Sequence, residues 1–136
     1  MSDRSHNLLH IRPQIGSAKV NDSMSSDEYF QNKTIRPVLK LQNDLLLAAF
    51  QNYINKHKKR YYDLSLENKL MYIENAIQKD IKFRNSLKGM VIGQFTVEEY
   101  NDYIKNSSAL NKRMMNMVVE RLKGQIQVFE VPELIQ

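Results

Sequence analysis

The sequence has no cysteine in its 136 residues. That excludes disulfides, thiolate metal sites and a cysteine nucleophile at once. Proline and glycine are also scarce, at three and four residues. A β-rich fold demands those residues at its turns, so a loop-rich β protein is not expected. Long apolar runs are missing too. The longest, Leu45 to Phe50, is the size of a core segment and far short of the roughly 18 residues of a membrane span. No apolar stretch follows Met1-Ser2-Asp3-Arg4, so the chain reads as cytoplasmic, with no signal peptide and no membrane partner.

What is present suits helices. Apolar residues make up 42% and charged residues 26%, ordinary values for a globular domain that builds a core without staples. Ser25 and Glu28 have capping-box spacing, with Met24 and Tyr29 placed as a staple. Pro37 predicts a break near residues 34–36, with the proline in the first turn of a longer helix. In that helix Val38, Leu41, Leu45, Ala48, Ala49 and Ile54 keep helical period. Leu39, Leu46, Phe50 and Tyr53 widen the stripe enough to touch several neighbours. Ser65 is the next N-cap, followed by Leu66, Leu70, Ile73, Ile77 and Ile81 in amphipathic steps, with Phe83, Leu87 and Val91 on a shifted face. Thr96 and Glu99 make a second capping box, and Leu110, Met114, Met117, Val118, Leu122, Ile126 and Phe129 mark a last helix ended by Val131-Pro132. The reading is an all-α, compact, irregular bundle of five or six helices spanning 25–136. It is preceded by an extended or partly disordered tail over 1–24. The tail nonetheless carries Leu8, Leu9, Ile11, Ile15 and Val20, which a purely solvating tail does not need.

Residues able to do chemistry are sparse. His6 and His10 share helical spacing but lie in the tail, and His57 sits among cations that repel a metal. Glu98, Glu99 and Asp102 read as an acidic first turn favoured by the helix dipole. No nucleophile elbow, phosphate loop or dinucleotide turn occurs. No catalytic residue, metal or cofactor is therefore expected. Met114, Met115 and Met117 read mainly as core, with Met115 facing outward as a possible contact.

Binding is better supplied. The net charge is +5, and Lys56, Lys58, Lys59 and Arg60 place +4 within five positions. With Tyr61 and Tyr62 beside them, these cations have the composition of a phosphate-contacting, base-stacking strip. Lys112 and Arg113, with Arg121 and Lys123, add a second basic strip. Leu8, Leu9, Ile11 and Ile15 are candidate tail contacts.

The stretch Asp80 to Gly89, the stretch Gln94 to Tyr100, Ser108 to Met117 and the opening Met1 to Pro13 resemble a family of small bacterial helical proteins of no characterised activity. Members sometimes carry the label glyoxalase. The resemblance covers nearly the whole chain and implies a helical fold, with no functional residues to carry over. The label itself asks for His and Glu ligands on strands or a His-rich binuclear motif, and the sequence offers neither. The residues thus point first to a non-enzymatic module that binds a protein. RNA or nucleoprotein binding through the basic strip is the alternative, and a glyoxalase-type enzyme is disfavoured. The partner and the oligomeric state are not encoded in any motif.

Overall fold

A computed structural model describes residues 3–15, 20, 21 and 23–130. Every regular element among them is helical. They are α1 (Asp3–Ile11), α2 (Ser26–Phe30), α3 (Arg36–Leu41), α4 (Asn43–Lys56), α5 (Leu66–Lys79), α6 (Ile81–Ile92), α7 (Val97–Tyr103) and α8 (Ser107–Lys123). Short 3-10 turns lie at Arg60–Asp63, Ile104–Asn106 and Ile126–Phe129. The expected stop at Val131-Pro132 lies outside the described residues.

The helix starts follow their caps. Ser25 accepts from the Glu28 backbone and Ser65 from Asn68, while Thr96 and Glu99 form the full reciprocal box. The break anticipated before Pro37 takes a specific form. Gln31–Ile35 widens into a π-helical turn, which absorbs the proline without ending the helix, so α2 runs through to α3. A second interruption at Gln42 (φ −90°, ψ 4°) separates α3 from α4, and its side-chain amide donates to the Met90 carbonyl at 2.8 Å.

Several expectations change. The stripe from Leu66 to Ile81 is not one helix. Asp80, in extended conformation, accepts from the Phe83 backbone and starts α6, which leaves Ile81 on the surface beside the new N-terminus, while Leu66 is exposed at the first turn of α5. The wide stripe of α4 is really two faces. Leu46, Phe50 and Ile54 are fully buried, while Leu45 and Ala48 look outward, Leu45 at 47% exposure. In the core Phe50 is the hub, ringed by Tyr53, Tyr61, Tyr72, Phe83 and Phe129. Ile73 and Ile77 of α5 and Met114, Val118 and Leu122 of α8 complete it. Met115, expected to face outward, is also fully buried.

The N-terminal segment, expected as an extended tail, is helical over Asp3–Ile11 and lies on its own domain. The reason is polar. Arg4 donates to the carbonyls of Phe95 and Gly93, both at 2.8 Å, and Ser5 donates to Glu98 at 3.1 Å. Arg12 grips both carboxylate oxygens of Glu99, at 2.6 and 2.9 Å, and the Gln94 carbonyl at 2.9 Å.

Candidate interaction surface

Helix α4 ends in a Schellman-type cap. The Lys59 backbone N–H reaches the Ile54 carbonyl at 3.0 Å, six residues closing on one. That geometry puts Lys58 at the position where glycine is usual, and Lys58 is left-handed at φ 61°. Lys59 follows at φ 58°. A side chain costs free energy in this region, and two in succession are uncommon. The consequence is spatial. The chain turns sharply while Lys56, Lys58, Lys59 and Arg60 all stay exposed. Among the described residues none of the four has an ion-pair partner.

A cleft of about 400 Å³ runs beneath this turn, lined by Tyr53, Lys56, His57, Lys58, Arg60 and Tyr72. It opens into a trough of about 710 Å³ that shares Tyr53, Lys56 and His57 and has Leu45, Ala48, Phe83 and Met90 along it. The outward face of α4 thus becomes the apolar side of a groove whose one end is cationic. His57 stacks on Tyr53 with ring centroids 3.9 Å apart, and its Nδ1 lies 2.8 Å from the Tyr53 carbonyl.

Tyr53 donates its hydroxyl to Asp80 at 3.0 Å. Burial, with the hydrogen bond and the negative charge of Asp80 behind it, pushes the phenol well above its ordinary range. The Phe83 backbone N–H, followed by the Tyr53 hydroxyl, holds the Asp80 carboxyl below its own. At neutral pH the phenol stays protonated and the carboxyl ionised, so neither is poised to exchange a proton. The arrangement fixes the groove wall and equips no acid–base step. Among the described residues no three His, Asp or Glu side chains gather as metal ligands.

The other sequence candidates are distributed differently. Tyr61 is not on the surface. It is 1% exposed, packed on Phe50 and Phe129, and burial pushes its hydroxyl up to about 12. Tyr62 is half-buried, with its hydroxyl accepting from Gln51 at 2.6 Å. The Tyr61 ring offers no free face to a base. Lys112 is exposed near the start of α8, and Arg113 donates to Gln31 at 3.0 Å, so this pair belongs to a different face. On α1, Leu9 and Ile11 point outward, at 44% and 58% exposure, while Leu8 is half-buried, as is Ile15 beyond the helix.

The groove also depends on residues that sequence reading passed over. Asp80 gave a signal, an N-cap residue inside an apparently continuous stripe. Away from the groove, the pairing of Arg12 with Glu99 gave no local signal, since only the fold brings together groups 87 positions apart. No protein-family model matches the chain, and neither a curated protein nor a solved structure is significantly similar to it.

Proposed function

We propose that the chain is a non-enzymatic interaction module that binds a protein partner at the α4 turn. The occupant fitting the groove is a segment with apolar residues along the trough and acidic residues at the end beneath Lys56, Lys58, Lys59 and Arg60. The observation carrying this reading is the cap itself: two lysines held left-handed where glycine costs less, presenting charge that no ion pair among the described residues answers. The apolar outer face of α4 supports it, because charge alone explains no exposed Leu45. Leu9 and Ile11 on α1 are a second candidate contact.

RNA or nucleoprotein binding is the second reading, favoured by the same four unpaired cations. It loses the stacking ring expected at Tyr61, which is inside the core. Capture from native lysate with and without nuclease separates the two. A protein partner survives nuclease, and an RNA-bridged one does not. If RNA is the ligand, affinity falls with salt at a log–log slope of about −0.7 per neutralised phosphate.

A further inference from the structure

A second groove, of about 600 Å³, lies between α3 and the C-terminal half of α8, away from the α4 turn. Two guanidinium groups line it, those of Arg36 and Arg121. Among the described residues neither has a carboxylate partner. Arg36 donates through Nε to the Asn32 amide oxygen at 2.8 Å. Arg121 donates to the Asn43 amide oxygen at 3.3 Å. Asn43 is itself locked to Gln125 by a reciprocal amide pair at 2.9 and 2.7 Å, and Gln125 also donates to the Arg121 carbonyl at 3.1 Å. This network fixes the Arg121 side chain through neutral acceptors, which orient a guanidinium without cancelling its charge.

An unneutralised cation that is partly desolvated carries a free-energy cost, and a second cation next to it adds to that cost. Arg121 bears both burdens, since burial first and the charge of Arg36 second depress its affinity for its proton. The acidic residue lining the groove, Glu120, is exposed and lies 3.9 Å from Lys123, which also pairs with Glu74 at 2.9 Å. That lysine is shared with Glu74, so Glu120 tempers the charge of the groove, but it pairs with neither arginine, and the two guanidiniums face the groove side by side. Met117, half-buried, supplies apolar surface beside them.

We propose that this groove binds a phosphate monoester, with the phosphoryl oxygens between Arg36 and Arg121 and the ester group on Met117. The charge matches, since a monoester carries close to two negative charges at neutral pH. Arginine rather than lysine matches as well, because the planar fork holds two oxygens of one phosphate. A carboxylate brings one charge and leaves half of the pair unanswered.

The test is a titration of the isotope-labelled full chain, followed by amide NMR, with inorganic phosphate, phenyl phosphate, a neutral peptide bearing one phosphoserine, and acetate. Saturable shifts are expected at Met117, Gly124 and Gln125, with phenyl phosphate or the phosphopeptide binding more tightly than inorganic phosphate, and acetate weakest. Preference between the two esters tells a small-molecule ligand from a phosphorylated partner. Arg36→Gln and Arg121→Gln should each weaken binding about tenfold, the loss of a charge-assisted contact. Glu120→Gln should strengthen it. Lys58→Gln with Lys59→Gln should leave it unchanged, which separates this groove from the α4 turn. Should Arg121→Gln disturb the Asn43–Gln125 network and the fold, the exposed Arg36 carries the test alone. Shifts that never saturate, or that persist undiminished in Arg36→Gln, overturn the proposal.

Discussion

Cations occupy two regions of this molecule in opposite ways. At the seam where α1 meets α7, the Arg12 side chain is 6% exposed and both its terminal nitrogens bond to Glu99 or to a backbone carbonyl. Glu99 in turn accepts from the Thr34 hydroxyl and the Thr96 backbone. At the α4 turn, four cations stand in solvent with no ion-pair partner among the described residues. The first arrangement consumes its charge in holding a helix to the bundle. The second leaves its charge available. A formal net charge treats the two alike, and only the pairing distinguishes a structural cation from one free to meet a partner.

The largest effect that sharpens this contrast is Arg12→Ala. Removing one partner of a mostly buried pair leaves Glu99 charged without its fork, at a cost of about 3–5 kcal/mol. Denaturant unfolding should show the loss, accompanied by faster amide exchange across α1.

Acid titration comes next. Burial pushes the Glu99 carboxyl up, but the Arg12 and Thr96 hydrogen bonds, the Arg12 charge and Thr34 outweigh it, so its folded pKa lies below the ordinary one. Below about pH 4.3 the unfolded chain takes up a proton at this site before the folded chain does. The stabilisation is therefore complete above that pH and lost as pH falls through the folded value. Melting temperatures measured from pH 6 to pH 3 should drop, and Glu99→Gln should flatten that part of the curve.

At the α4 turn the effects are smaller and of the opposite sign. Lys58→Gly relieves the left-handed side chain and should raise stability by about 0.5–1 kcal/mol, read by chemical denaturation. A loss of stability on this substitution would mean that the lysine side chain contributes packing the cap geometry does not require. The smallest effect belongs to Ile11→Ala, on the outer face of α1, which should change stability by less than about 0.5 kcal/mol.

The fold was legible wherever a local signal has one structural meaning. Ser65 and the Thr96–Glu99 box start helices because a side-chain oxygen satisfies a free backbone N–H nearby. Ile77 is buried as its spacing requires, and Ile77→Ala should cost about 2–5 kcal/mol. Where one signal serves two structures, reading failed. Tyr61 beside four cations has the composition of a stacking platform, yet the 3-10 turn over Arg60–Asp63 rolls its ring inward onto Phe50. Asp80 inside an apolar stripe is compatible with a continuous helix and with a cap, and Tyr53, distant in sequence, joins the backbone bond in holding it. The N-terminal segment read as a tail whose aliphatics suggested contacts, whereas Arg4, Ser5 and Arg12 make the polar ones that hold it. The width of the α4 stripe was visible from the start. Its meaning, one core face and one groove face, needed the neighbours.

The most direct measurement is nuclease-treated capture from native lysate with the double substitution Lys58→Glu, Lys59→Glu, run beside its thermal melt and the wild-type chain. If the free cations form the interaction surface, the double variant melts within a few degrees of wild type, because exposed helix-end charges contribute only tenths of a kcal/mol, and it loses the partner that wild type retains. Undiminished capture by a folded double variant would contradict the assignment of function to this turn.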